Sequence, residues 1–174
     1  MAGRLLAPHL HKTVYPEGIP TIQQLHQKLV GMGLMVDLGY SDAEYAALEE
    51  VIDHERDFNQ PEFSLTYTLE KYSIQNRAKK EYYETAQFTY MRVAMAIASN
   101  LVNTEDRIAK VSAFYDSFSY KKVSPPTPNY INLGTPLRGF ASCCLIAAGD
   151  NVDSIGIADW LAYRMTAASA GIGT

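Results

Sequence analysis

The chain has 174 residues, 47% hydrophobic and 20% charged, which suits a globular domain or a piece of a larger one and excludes a disordered, collagenous or repeat-built polypeptide. Lys and Arg number 15 against 19 Asp and Glu, a formal net charge of -4 with no long run of like charge, so sequence-independent binding of DNA through phosphate neutralisation is not expected. No stretch approaches the roughly 20 apolar residues of a spanning helix and the opening MAGRLLAPHLHK lacks the apolar heart of a signal peptide, so a soluble cytoplasmic protein without a membrane partner is expected.

Residues 1–20, with Pro8, Pro16, Gly18 and Pro20, read as an irregular arm. His9 and His11 in that arm are either a weak metal pair or part of an exposed tail, and the tail is the preferred reading. The four histidines lack cysteine neighbours at zinc-ligand spacing, so no metal site is expected. Residues 21–122 read as a helical domain. Thr21 with Gln24, and then Ser41 with Glu44, have the spacing of capping boxes; the first opens a short helix ended by Gly31 and Gly33, the second an amphipathic helix running to about His54. Phe63 to Ile74 has mixed periodicity, with Tyr72-Ser73-Ile74 a brief strand. From Glu84 to Asn100 apolar residues occupy every face, which predicts a buried helix. Its Met91 and Met95 suit core filling or a ligand pocket, with core filling preferred. Asn103 and the acids after it cap another helix, carrying Ile108, Val111, Phe114, Tyr115 and Phe118.

The pattern changes at Ser124-Pro-Pro-Thr-Pro128, which forbids a continuing helix, and Gly134 to Gly139 adds a second break. Phe140 to Ile146 then reads as a strand buried on both faces, Asp153 to Ser169 as a helix, and Ala170 onward as the opening of a parallel strand. Cys143 and Cys144 are adjacent, so they point to opposite faces of a strand, and only one sulfur can face a given pocket. Their use fits a reducing compartment, and a buried strand cysteine is often only a small hydrophobe. Asp150 and Asn151 serve either as helix caps or, with loop amides, as a phosphate-facing helix head. A parallel pair lacking the rest of its sheet suggests a fragment, or one chain of a split protein.

Several runs in matching order carry a resemblance: Ile52 to Asp57, Glu70 to Arg77, Tyr83 to Phe88, Ser124 to Pro128, Arg138 to Cys143, Gly149 to Ile155 and Ser169 to Gly173. Together they resemble the large, catalytic subunit of class I ribonucleotide reductase, in its Ia branch, from about Gly18 to Gly173. The resemblance implies an α/β architecture: a helical N-terminal domain, then, over residues 123–174, the first strand-helix-strand of a ten-stranded α/β barrel completed by another chain. It implies reduction of ribonucleoside diphosphates by thiyl-radical chemistry, in which Cys143 is one of two reducing thiols and ends the turnover in a disulfide with a partner cysteine. Cys144 matches a packing position. Thr127 and Ser142 match positions near the substrate, Ala170 and Gly171 match backbone that approaches it, and Asp150, Asn151 and Val152 match the binding stretch for a deoxynucleoside triphosphate or ATP effector.

The helix from 153 to 169, with Trp160 and Tyr163, resembles a homodimer interface. The expected partners are a C-terminal chain of the split subunit, a metal-containing small subunit that supplies the radical, and an external dithiol reductant, with no cofactor bound by this chain itself. The radical-bearing cysteine, the partner cysteine and the tyrosines of the radical path match nothing before Thr174, so the chain is expected to be inactive alone, and no ATP-cone is matched, so overall on/off control by ATP and dATP is not expected from these residues. The alternative is a non-catalytic regulatory or scaffold protein that keeps the effector loop and the dimer helix.

Overall fold

The computed structural model describes residues 2–168 and 170–173. Its first element corrects the irregular arm: Ala2–Val14 form helix α1. Pro8 removes one backbone hydrogen bond inside that helix, a penalty of about 3 kcal/mol. Tertiary burial outweighs it, because Leu6, Ala7 and Leu10 lie against the core and Ala7 is only 1% exposed. Gly3 adds to the fit; a Cβ there would sit 1.9 Å from the Gln60 carbonyl oxygen, so only glycine lets the two backbones approach this closely. His11 is therefore not on a free tail, since its Nε2 lies 2.9 Å from Asp57 Oδ2. His9 is exposed, and among the described residues no group of three or more His, Cys, Asp or Glu could hold a metal ion. The remainder of the arm, around Pro16 and Gly18, is irregular as its composition predicts.

Both capping boxes form. Thr21 opens α2 (Ile22–Gly31) and Ser41 opens α3 (Asp42–Glu49), each side chain accepting from the backbone N–H three residues on while Gln24 or Glu44 reaches back to the cap. Each box satisfies otherwise orphaned donors, worth about 1 kcal/mol. Helix α3 stops before its expected end at His54. The Asp53 N–H donates instead to the Tyr115 hydroxyl at 3.0 Å, and Asp53 caps a short 3-10 helix over His54–Asn59, so a tertiary bond replaces the next helical one.

The ambiguous middle is helical. Helix α4 (Glu62–Tyr67) continues into a π-type turn over Thr68–Tyr72, and the expected Tyr72–Ile74 strand is absent because the Ile74 N–H donates to the Glu84 carboxylate rather than to a strand partner. A two-residue antiparallel hairpin follows, β1 (Gln75–Asn76) with β2 (Glu81–Tyr82). Helix α5 (Ala86–Ala98) is buried on all sides through Met95 as its sequence predicts, with Ile97 exposed near its end, and Met91 and Met95, both 0% exposed, fill the core rather than line a pocket. Helix α6 (Thr104–Ser119), capped by the Asn103 side chain, packs against α5. Their joint interior, with Phe88, Val111 and Tyr115, is the centre of one core reaching from α1 to Tyr130.

After the proline break a short helix, α7 (Thr127–Asn132), returns to α5. Then come β3 (Cys143–Leu145), α8 (Val152–Ala167) and β4 (Gly171–Gly173), with β3 and β4 parallel and Cys143 opposite Gly171. The expectation of a strand buried on both faces is corrected. Cys143 is exposed, Leu145 is 92% exposed and only Cys144 is half-buried, because among the described residues β4 is the sole neighbour of β3. Helix α8 shares this openness: Ala158 is buried, while Ile155, Ile157, Trp160 and Tyr163 face outward. The whole is a mostly helical domain with a few short strands, and among the described residues no helix is long and apolar enough to cross a membrane.

Candidate active site

The paired strands bring three of the expected residues together. The Gly171 N–H donates to the Ser142 carbonyl at 2.8 Å, which fixes the register that sets Cys143 beside Gly171. The Cys143 sulfur lies 3.5 Å from the point where a Cβ on residue 171 would sit, and 4.0 Å from the Ser142 hydroxyl. The thiol thus stands in the open over bare backbone, with a hydroxyl at its side. Cys144 points the other way, as strand alternation requires, so each face of the strand carries one sulfur. Ala170 is buried and its N–H donates to Met165 at the end of α8, tying the helix to β4.

The head of α8 forms a second exposed feature on the same strand-helix-strand unit. Asn151 is the cap, its Oδ1 accepting from Ser154 N–H at 2.8 Å, and Ser154 Oγ accepts from Gly149 N–H at 2.6 Å. Asp150, Asn151 and Val152 are all exposed, Val152 by 84%. The capping role of Asn151 is therefore realised at the exposed head of α8. Thr127 lies elsewhere, half-buried at the first residue of α7.

Two buried polar groups that the sequence reading passed over hold this framework. Arg92 and Glu84 are both fully buried, with Nε 2.7 Å from Oε1 and Nη2 3.1 Å from Oε2. The guanidinium also donates to the carbonyls of Tyr130 (3.0 Å), Tyr72 (3.3 Å) and Leu133, gripping the C-terminal end of the helix that Thr127 opens. Gly134, at φ 79°, lets the chain pass Arg92, since a Cβ there would meet Arg92 Cγ at 2.9 Å. The available signal was an arginine inside an otherwise apolar helix, which has to be paired. The second group centres on Asp57, whose Oδ1 accepts from Gln87 (2.7 Å) and Gln60 (3.2 Å), while Gln87 accepts from Tyr115 (2.7 Å) and Ser119 (2.8 Å). Close by, burial pushes the His54 imidazole down to about 4, and His26 down to about 3.

Comparison with known proteins bears directly on this arrangement. Residues 58–138 match a family model described as "Ribonucleotide reductase, all-alpha domain". Over 99% of its length the chain is 37% identical to the ribonucleoside-diphosphate reductase 1 subunit alpha of Escherichia coli, of which it covers 23%. It is 36% identical over 77% of its length to the subunit alpha of Enterobacteria phage T4, covering 18% of that protein, and 29% identical over 89% to the large subunit of Trypanosoma brucei, covering 19%. The chain spans less than a quarter of the length of these relatives.

Proposed function

This chain belongs to the class I ribonucleoside-diphosphate reductase large-subunit family, being homologous to its N-terminal region, and from that premise we propose that it supplies the first reducing sulfur of the reductase active centre. Cys143 is that sulfur. In an assembled reductase it acts with a second thiol: each gives one electron and one proton, the ribose 2'-hydroxyl leaves as water, and the two sulfurs join in a disulfide that an external dithiol reopens by exchange. Thr127 and Ser142 hold the substrate, and Gly171, without a side chain, lets the ribose approach the thiol. The radical that starts the reaction comes from the metal-containing small subunit, and this chain's residues bind, orient and reduce.

Residues 123–174 begin the barrel, and the remaining strands come from sequence beyond these residues, on this polypeptide or on a companion chain. The openness of β3 and α8 supports this, because a strand with one neighbour and a helix with Trp160 and Tyr163 outward both leave surface for partners. The outward face of α8 suits a second copy in a homodimer, and the exposed head formed by Asp150, Asn151 and Val152 suits an effector triphosphate. The observation that carries the reading is the exposed Cys143 thiol against the bare backbone of Gly171.

The test is reconstitution. The purified chain is mixed with the remainder of a large subunit, the small subunit and a dithiol, and conversion of a ribonucleoside diphosphate is measured. Turnover that requires every component supports the proposal. A correctly assembled mixture that binds effector but reduces nothing would instead indicate a non-catalytic scaffold.

A further inference from the structure

A cleft lined by residues of α4, the π-type turn and the segment after α6 carries an inference that does not rest on the reductase reading. Lys121 stands just past the end of α6 with φ 59°, in the left-handed region. Its N–H donates to Phe118 O at 3.1 Å and the next N–H, of Lys122, to Ser117 O at 2.9 Å, the bond pair that closes a helix in a Schellman motif. Glycine is the usual occupant of that position because a Cβ is penalised there. A lysine is held in the strained conformation instead, and its amine is turned inward. Nζ sits 4.1 Å from the centre of the Tyr90 ring and is hydrogen-bonded with the Tyr90 hydroxyl, which also meets the Thr68 hydroxyl at 3.1 Å.

Those groups floor a cleft of about 270 Å³. One wall is aromatic: Tyr67 meets Tyr72 edge-on at 5.3 Å, and Tyr72 stacks on Tyr130 at 4.6 Å. Phe63, 77% exposed, stands among the lining residues. Part of this wall is the π-type turn Thr68–Tyr72, a backbone irregularity common at functional sites. Lys121 is the only charged residue lining the cleft, and among the described residues no carboxylate lies within ion-pair distance of it. Burial of the amine against Tyr90 pushes it down to about 8, with the more distant Asp57 opposing the shift only in part. A cation so placed is stabilised by an incoming anion, and the aromatic wall, ending in exposed Phe63 stacked on Tyr67 at 5.5 Å, supplies a face for a flat ring.

We propose that this cleft binds a planar aromatic ring carrying an anionic group, with the ring on the tyrosine wall and the anion on Lys121. The test titrates the nitrogen-15-labelled chain with phenyl phosphate by NMR, using benzyl alcohol and inorganic phosphate as probes of each half. Saturable shifts confined to residues 63–72 and 121–124 and to Tyr90 and Tyr130 are expected, with phenyl phosphate binding about tenfold or more tightly than either half-probe. Lys121→Gly relaxes the helix end and deletes the amine, so it should keep or raise the melting temperature while weakening phenyl phosphate about tenfold or more. The proposal is overturned if phenyl phosphate gives no saturable shift, if benzyl alcohol binds as tightly, or if Lys121→Gly leaves the affinity unchanged.

Discussion

Cys143 and Gly171 face each other across the parallel β3–β4 pair, and the sulfur is 3.5 Å from where a side chain on residue 171 would begin. That distance is ordinary van der Waals contact, so alanine fits at 171 but closes one side of the thiol. The exposed Cys143 should react with a disulfide reagent such as DTNB well before the half-buried Cys144, giving two kinetic phases. Gly171→Val should slow the fast phase by about threefold or more while leaving the slow phase and the circular dichroism unchanged. Equal rates for the two sulfurs would contradict this placement.

The buried Arg92–Glu84 pair should behave as an organiser of α7. Arg92→Met leaves a buried carboxylate without its partner and three carbonyls without their donor, so a loss of about 3–5 kcal/mol is expected in urea unfolding. Joining it to Glu84→Gln should recover part of that loss, because the stranded charge is then gone. If Arg92→Met cost less than about 1 kcal/mol, the pair would not be holding this region.

Helix α1 depends on one bare backbone position. Gly3→Ala places a Cβ against the Gln60 carbonyl oxygen, both of them backbone-bound and unable to swing away. A destabilisation of about 1–3 kcal/mol is expected, with faster hydrogen exchange through residues 3–12. Exchange rates identical to the parent chain would show that α1 does not pack as described.

Buried histidines give the chain a specific acid sensitivity. His54 and His26 are held well below the usual 6.5 by burial, so between about 4 and 6.5 the unfolded chain binds more protons than the folded one. Stability is therefore greatest above 6.5 and is lost as the pH falls toward about 4 for His54 and about 3 for His26. Among the described residues neither ring nitrogen of His54 has a hydrogen-bond partner, and its ring lies against Phe88 with centroids 4.7 Å apart. His54→Phe should keep stability at pH 7 within about 1 kcal/mol and flatten its fall between pH 6.5 and 4, removing on the order of 3 kcal/mol of pH dependence. A slope as steep as that of the parent would assign the sensitivity to other groups.

How much was legible beforehand follows from where each interaction is made. The caps at Thr21, Ser41 and Asn103 are local, formed within three residues, and the sequence states them directly. The largely apolar run that becomes α5 was equally plain. Helix α1 was hidden because Pro8 and Gly3 argue against it locally, whereas its support lies some 46 residues away, where His11 meets Asp57. The π-type turn, the early end of α3 and the grip of Arg92 on α7 likewise rest on distant partners. In the candidate site, alternation placed Cys143 and Cys144 on opposite faces, and the residues from Ala170 onward read as the parallel partner strand. What no spacing disclosed was exposure: an apolar run reads as buried whether its cover comes from the same residues or from others.

The central claim is that Cys143 does the reducing and Cys144 only packs. The most direct measurement compares Cys143→Ser and Cys144→Ser in a large subunit reconstituted with the small subunit, following deoxyribonucleoside diphosphate formed per turnover. The account predicts product formation abolished by Cys143→Ser with assembly and effector binding intact, and near-parental activity for Cys144→Ser. Full activity from Cys143→Ser, or loss of activity from Cys144→Ser alone, would contradict it.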